Sequence, residues 1–252
     1  MSALLFYREI TLLNRERHRG LRLKPTGDCR FAANTHFVPL AGQEFYQAAR
    51  DYPILFIGEG EQTVPIALLG LEPERNEFLD DDGQWLANVY VPAFIRRYPF
   101  VLADTDAERF SVCFDAAYEG WNESEGEALF DDNGANTPYL DEVVDFLRGF
   151  TAEMRRTEAF VRTLQDLGLL RPRTLQLSHP GGERFTVNDF QAIDEEAFRA
   201  LGDDDVLALH REGFLGWVFA HLMSLGAANR LFDRHIAGRD AAAPAGAASG
   251  SA

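Results

Sequence analysis

Short apolar runs separated by turn-forming residues dominate the first half of the chain. The runs are rich in Val, Ile and Phe and are bounded by Pro, Gly, Asn or Asp, a pattern typical of β-strands. They are RFAANTHFVPL, YPILFIG, VPIALLGLE, YPFVLAD and RFSVCFD. Between the first two runs, residues 41–51 combine helix formers with apolar residues at helical spacing. We therefore predict a helix of about three turns there.

In the second half, the apolar residues recur at helical spacing. Thr137 is a good N-cap and Pro138 suits the first helical position, so a long helix is predicted to begin here. Gly168 and Pro172 mark its end. Its predicted buried stripe consists of Leu140, Val144, Leu147, Phe150, Met154, Val161 and Leu164. These residues predict one long amphipathic helix.

A hairpin and a second long helix are predicted after it. Residues 174–194 contain Pro180, Gly181 and Gly182 between two strand-like runs, which predicts a β-hairpin. The acidic residues 203–205 then open a helix that we predict to run to residue 236. Its buried stripe is predicted to be Leu207, Phe214, Val218, Leu222, Leu225 and Phe232. Three glycines within this helix indicate close packing against a neighbour.

Two Val-Pro and Tyr-Pro pairs form a weak internal echo. Val38–Pro39 and Tyr52–Pro53 bracket the first predicted helix, and Val91–Pro92 and Tyr98–Pro99 bracket a shorter one. Proline is tolerated in the first turn of a helix and moves the preceding residue out of the α region. Val-Pro is therefore predicted to start a helix and Tyr-Pro to end one. Duplication and convergence both account for the echo.

These elements predict an α+β fold. We expect a mixed β-sheet with short helices in the N-terminal half, and two long helices plus the hairpin in the C-terminal half. Residues 1–236 are predicted to form a single domain, with 115–136 as the only alternative boundary. Residues 115–134 are rich in carboxylates and glycines and are predicted to be an exposed loop. The Ala/Gly/Ser-rich residues 237–252 are predicted to be a disordered tail.

Charge and composition exclude several partners. The formal net charge is −16, whereas nucleic acids and anionic lipid surfaces are bound by basic patches. We therefore expect no nucleic-acid ligand. Cys29 and Cys113 are the only cysteines, which argues against a disulfide framework. With no signal-like N-terminus and no long apolar run, the protein is expected to be cytoplasmic and not inserted in a membrane.

Motifs for metal, nucleotide or nucleophilic chemistry are missing from the sequence, so no cofactor and no metal are predicted. His210 and His221 would lie about 16 Å apart on one helix and could not share an ion. LDDDGQW and FDDNGAN resemble EF-hand loops, but Phe78 and Leu129 occupy their first ligand positions. We predict turns there. Cys113 lies in a strand-like run and is predicted to be an inert buried thiol.

The adjacent Arg96 and Arg97 are the clearest candidate binding feature. Both lie in the last turn before Pro99, where a cation stabilises a helix by complementing its C-terminal dipole. Paired arginines also suit bidentate binding of a carboxylate or phosphate. A structural role and an anion site are both consistent with this pattern.

Nearly the whole chain, from about residue 5 to residue 232, resembles the SapC family of bacterial proteins. The resemblance is carried by HFVPL, EFYQAARDYPILF, LDDDGQWLANVYVPAFIRRYPFVL, EGEALFDDNG and AHLMSL. It does not extend to the peptide-transporter permease of the same name, which is a membrane protein. The resemblance implies a link to bacterial surface-layer proteins, and it brings no catalytic residues with it.

Eight motif positions become candidates for binding a ligand or partner. They are His36, Glu44, Trp85, Tyr90, Arg96, Arg97, Tyr98 and His221. The first hypothesis is a soluble accessory protein that binds a protein partner in the envelope or surface-layer pathway. The second is an enzyme in which the two arginines clamp an oxyanion and Glu44, His36 or Tyr98 acts as acid or base. The third is a small-molecule binding module.

Overall fold

A computed structural model describes residues 5–106 and 109–242. Its strands are β1 (Ile10–Leu12), β2 (Arg22–Leu23), β3 (Phe37–Pro39), β4 (Ile54–Ile57), β5 (Val64–Leu68), β6 (Phe100–Asp106), β7 (Arg109–Asp115), β8 (Trp121–Asn122), β9 (Glu127–Ala128), β10 (Leu170–Ser178) and β11 (Arg184–Ile193). Its α-helices are α1 (Phe45–Ala48), α2 (Ala93–Arg96), α3 (Pro138–Asp166), α4 (Glu195–Arg199), α5 (Asp203–Arg211), α6 (Leu215–Ser224) and α7 (Ala227–Ala242). The predicted α+β class is confirmed.

The strands are distributed over three antiparallel sheets. The largest has the order β10-β11-β4-β5-β3, so the predicted hairpin β10–β11 extends the sheet built by the first half. The second sheet has the order β1-β7-β6, and the third has the order β8-β2-β9. The five apolar runs predicted from the sequence contain β3, β4, β5 and β7 and the first five residues of β6. β4 is buried along most of its length, which explains why it reads as a continuous apolar run.

Helix α3 lies against both hydrophobic clusters of the described chain. Thr137 caps it by accepting a hydrogen bond from the Leu140 amide, and Pro138 is its first residue, as predicted. Leu140 and Leu147 pack into a cluster with β2, β6 and β7. Phe160, further along the helix, is fully buried in the larger cluster beneath the five-stranded sheet. One domain over residues 1–236 stays a prediction.

The prediction of one continuous helix over 206–236 is wrong, because glycines divide it into shorter helices. Gly213 follows α5 with φ +73°, and the amides of Gly213 and Phe214 bond back to the last turn of that helix. This is the geometry in which glycine ends helices. A second break at Gly226 separates α6 from α7. Two helices were expected in the second half, whereas α3 is followed by four shorter ones.

The predicted start of the disordered tail is too early. Helix α7 continues to Ala242, so residues 237–242 are helical. The remaining tail residues, 243–252, lie outside the described residues. Within the described ranges no helix is both long and apolar enough to span a membrane.

The acidic segment 115–134 is more structured than predicted. Strands β8 and β9 within it pair on either side of β2, and Leu129 and Phe130 are buried. Asp115 is also buried, and its carboxylate accepts hydrogen bonds from four donors, Arg8 N, Glu9 N, Ala117 N and Tyr98 Oη. The exposed-loop prediction therefore holds for Glu119 and for residues 123–127 and 131–133.

The two EF-hand-like loops are turns, as predicted. Asp80 Oδ1 accepts hydrogen bonds from the amides of Asp82 and Gln84, at 3.1 and 2.8 Å. Asp131 Oδ1 repeats this arrangement two and four residues further on, at 2.8 Å each. Isolated β-bridges, Leu79 to Trp85 and Phe130 to Asn136, close the two loops. In both loops the aspartate therefore accepts hydrogen bonds from backbone amides of its own loop.

The Val-Pro and Tyr-Pro echo has a local structural basis. Pro39 ends β3 shortly before a 3-10 turn and α1, and Pro92 lies directly before α2. Tyr52–Pro53 leads into β4, and the cis pair Tyr98–Pro99 leads into β6. β4 and β6 belong to different sheets, so the two copies serve different parts of the fold.

Candidate functional site

Two adjoining clefts meet at Tyr90 and Gln47, and together we call them the Tyr90 cleft. The first has a volume of about 300 Å³ and lies between residues 43–47, α2 and α3. The second has a volume of about 510 Å³ and lies between α1 and residues 88–90. The lining residues are Gln43, Glu44, Tyr46, Gln47, Arg50, Asn88, Val89, Tyr90, Ala93, Arg96, Phe146, Gly149 and Phe150. Three of the eight candidates, Glu44, Tyr90 and Arg96, therefore meet in one place.

Glu44 is the buried anchor of this cleft. It lies in the 3-10 turn between β3 and α1 and is only 3% exposed. Its Oε1 accepts hydrogen bonds from Tyr90 Oη at 2.8 Å and from the Ala93 amide at 2.7 Å, and its Oε2 accepts one from the Ala41 amide at 3.0 Å. Burial raises the pKa of Glu44, although these donors and the Arg96 charge oppose that rise. The carboxylate thus connects the backbone amides of Ala41 and Ala93 with the hydroxyl of Tyr90.

Tyr90 connects this buried carboxylate to the surface. Its hydroxyl donates to Glu44 and accepts a hydrogen bond from Arg96 Nη2 at 3.2 Å. Burial, followed by the neighbouring Glu44 charge, raises the pKa of Tyr90 to about 12. The Tyr90 amide donates to Asp51 Oδ2 at 2.9 Å, and its carbonyl accepts a hydrogen bond from the Tyr52 hydroxyl. Tyr90 is therefore fixed at both its backbone and its hydroxyl.

Arg96 and Arg97 lie in different environments, so of the pair only Arg96 lines the cleft. Arg96 is exposed, donates from Nε to the Val91 carbonyl at 3.0 Å, and lies 5.2 Å from the Phe146 ring centre. Arg97 is buried, with its guanidinium 3.9 Å from the Phe94 ring centre. Burial lowers the pKa of Arg97. Successive helical residues project about 100° apart, which sends the two side chains to different surroundings. The predicted position at the end of a helix is confirmed.

Sequence reasoning missed the residues that hold Glu44 in place. The Gly42 amide donates to Thr157 Oγ1 of α3 at 2.8 Å. A Cβ at position 42 would overlap the Trp217 ring of α6, so only glycine allows this close approach. The turn carrying Glu44 is thus held between α3 and α6. Gly42 lies within the predicted helix 41–51, but no local pattern names its partners 115 and 175 positions away.

A family model described as SapC matches residues 13–231 of the chain. This chain belongs to the SapC family. All eight candidate residues lie within the part that matches the SapC model. The comparisons with curated proteins and with solved structures found no match.

Trp85 is connected to the Tyr90 cleft indirectly, through Tyr52. Its Nε1 donates to Tyr52 Oη at 3.0 Å, and the Tyr52 hydroxyl in turn donates to the Tyr90 carbonyl. Its ring is stacked with that of Phe78, with 6.4 Å between centres. Trp85 is therefore connected to Tyr90 through one intervening hydroxyl and does not line the cleft.

The other candidates of this SapC protein lie elsewhere. His36 is half-buried beside Phe37, where burial lowers its pKa. Tyr98 donates to Asp115 Oδ2 at 3.0 Å and stacks on Phe31 with ring centres 4.1 Å apart. Neither residue lines the Tyr90 cleft. Of the three alternatives named as acid or base, Glu44, His36 and Tyr98, only Glu44 lines the cleft.

His221 has a structural position inside α6. It is fully buried, and its Nε2 accepts a hydrogen bond from the Ile193 amide of β11 at 3.1 Å. Burial lowers the pKa of His221 to about 3, so the ring is neutral at physiological pH. Ser224, one turn later, accepts a hydrogen bond from the Ile54 amide of β4. Helix α6 is thus bonded to two strands of the large sheet.

Proposed function

We propose that this SapC-family protein is a non-catalytic accessory protein that binds a protein partner through the Tyr90 cleft. The observation that carries the proposal is the exposed Arg96 guanidinium, positioned on the cleft wall by the Val91 carbonyl and the Tyr90 hydroxyl. These two contacts leave the rest of its five N–H donors for a ligand. Arginine and tyrosine are enriched among the residues that dominate the energy of protein interfaces.

The surface beside the cleft supports a macromolecular partner. Tyr46, on the cleft rim, is 58% exposed, and its hydroxyl lies against Gly216 of α6. Phe219 and Met223 follow on the same face of α6 and are 51% and 77% exposed. Aromatic residues, methionine and arginine are enriched in protein interfaces. The Tyr90 cleft therefore continues into a surface suited to burial under another protein.

The hydrogen bonding of Glu44 favours binding over catalysis. A general base needs a lone pair directed at a substrate proton. Glu44 is buried, and three of its roughly four lone pairs accept hydrogen bonds from Ala41, Tyr90 and Ala93 of its own chain. We therefore assign Glu44 a positioning role for Tyr90 and, through Tyr90, for Arg96.

The biological setting of this binding is proposed from family membership. The resemblance to SapC proteins implies a link to the bacterial surface layer, so we propose a partner in the envelope or surface-layer pathway. A carboxylate on that partner would be the preferred group to face Arg96, because a guanidinium and a carboxylate form charge-assisted hydrogen bonds.

Affinity capture with a matched arginine control tests the proposal. Tagged wild type, Arg96→Ala and Arg162→Ala are used to capture proteins from gently lysed native cells, followed by mass spectrometry. Arg162 is an exposed arginine on α3 outside the cleft. We expect a recurrent partner that is retained by Arg162→Ala and lost by Arg96→Ala, with the thermal stability of both variants near that of wild type. A partner retained by all three proteins, or none with any of them, would contradict the proposal.

A further inference from the structure

Strand β11 has an open edge where it leaves the large sheet. It pairs with β10 from Arg184 to Ile193, but its pairing with β4 consists of Gln191 opposite Phe56 alone. β4 ends at Ile57 and turns at Gly58, so residues 184–189 continue past the end of their neighbour. Within the described chain, β10 is the sole strand paired with this stretch. The sheet therefore has a gap of one strand beside β11.

The ladder with β10 shows which backbone groups face the gap. The His179 amide donates to the Glu183 carbonyl, and hydrogen-bonded pairs alternate along an antiparallel ladder. Phe185 and Val187 are therefore bonded to β10, whereas the N–H and C=O groups of Arg184 and Thr186 point away from it. Arg184 and Thr186 are exposed. These groups form the pattern that a further strand would complete.

The outer edge of β10 is less suited to pairing with a further strand. Pro172 has no amide hydrogen, and exposed Arg171 and Arg173 flank it. Proline, charged side chains and bulges are the features by which edge strands avoid further pairing. The register shift between Arg173 and Leu175 involves both strands, because residues 188 and 189 of β11 lie opposite Thr174 alone and Asp189 has φ +61°. The two free edges thus differ in the amide that Pro172 lacks, and residues 184–187 of β11 form the stretch that keeps all its amides.

A cleft of about 960 Å³ lies where β11 separates from the rest of the sheet. Residues 58–60, Gln165 of α3 and residues 188–191 are part of its lining. The exposed Glu59 and Asp189 contribute negative charge, while Arg173 is already paired with Asp194 at 3.1 Å. The whole chain carries a net charge of −16. The two carboxylates and the net charge outweigh the single positive charge of the exposed Arg184 at the open edge, so a basic occupant is favoured over an acidic one.

We propose that the open edge of β11 binds an extended basic peptide segment by strand addition. Main-chain hydrogen bonds to Arg184 and Thr186 would supply the affinity, and alternate apolar side chains would lie on the face shared by Phe185 and Val187. A segment of six residues spans about 20 Å, which covers the regular stretch 184–187 with one residue beyond it at each end. This site is separate from the Tyr90 cleft and does not depend on the function proposed for it.

Amide exchange on the full chain tests the proposal. The probe is acetyl-Lys-Val-Lys-Val-Lys-Val-amide, with its fully N-methylated form and acetyl-Glu-Val-Glu-Val-Glu-Val-amide as controls. At saturating probe, we expect exchange at the Arg184 and Thr186 amides to slow by about tenfold or more. Phe185 and Val187 should change little, because their amides already bond to β10. The N-methylated and acidic peptides should give no such protection.

A proline variant supplies a second readout. Thr186→Pro removes an amide directed at the gap without breaking a bond to β10, and Thr186→Ala keeps that amide. We expect the basic peptide to bind Thr186→Ala as it binds wild type and to lose at least about tenfold in affinity for Thr186→Pro. If Thr186→Pro does not fold, the N-methylated control on the wild type decides alone.

Three results would overturn the assignment. One is unchanged exchange at Arg184 and Thr186 with millimolar basic peptide. Another is equal protection by the N-methylated peptide, which cannot form the ladder. The third is protection of the same amides without peptide that increases with protein concentration, together with dimers in sedimentation velocity, because a second copy would then be the occupant.

Discussion

Replacing Thr157 with valine tests whether α3 holds the turn that carries Glu44. The Thr157 hydroxyl donates a hydrogen bond to the Glu153 carbonyl and accepts one from the Gly42 amide at 2.8 Å. Thr157 is only 1% exposed. Valine keeps the branched shape and removes the hydroxyl, so no large cavity forms. The Gly42 amide would then be buried without an acceptor.

The expected cost follows from that lost acceptor. A buried donor left without a partner costs about 1–3 kcal/mol of stability. For a chain of this length, each kcal/mol lowers Tm by roughly 2–4 °C. Thr157→Ser is the matched control because it keeps the hydroxyl and loses only one methyl group, at about 1 kcal/mol.

Urea denaturation and amide exchange distinguish the two variants. We expect Thr157→Val to lower the free energy of unfolding and to accelerate exchange at the Gly42 amide, whereas Thr157→Ser should leave that amide protected. If Thr157→Val unfolds within about 0.5 kcal/mol of wild type and Gly42 stays protected, the hydroxyl does not hold the turn.

Three further predictions concern other parts of the fold. Gly42→Ala should destabilise the protein by about 1–3 kcal/mol, because its methyl group would overlap the Trp217 ring; thermal denaturation measures this, and an unchanged Tm would contradict the close approach. Folding lowers the pKa of His221 from about 6.5 to about 3, so its contribution to stability is present above pH 6.5 and is lost as pH falls towards 3. His221→Gln should therefore show a shallower loss of stability in that window, by up to about 1.4 kcal/mol per pH unit, and equal slopes in urea titrations would contradict this. Millimolar calcium should leave Tm unchanged, because Asp80 and Asp131 accept hydrogen bonds from backbone amides of their own loops. A calcium-dependent rise in Tm would show that these loops bind the ion.

Part of the candidate site was predictable from the sequence. The motif YVPAFIRRYPF directed attention to Tyr90 and Arg96, and the resemblance carried by EFYQAARDYPILF directed attention to Glu44. The structure brings these three together through two hydrogen bonds, from Tyr90 to Glu44 and from Arg96 to Tyr90. Gly42 and Thr157 were missed because the pair depends on contact between residues 115 positions apart.

The sequence by itself determined the features that depend on near neighbours. Thr137 and Pro138 start α3 because a cap needs only the next few residues, and short apolar runs predict β3 to β7 because strand periodicity is local. Only the tertiary structure decided that Arg96 is exposed and Arg97 buried, since both share one local pattern. Only it decided that β11 extends beyond β4, because strand pairing depends on where each chain segment ends in space. Burial and pairing are set by segments distant along the chain, so no local pattern contains them.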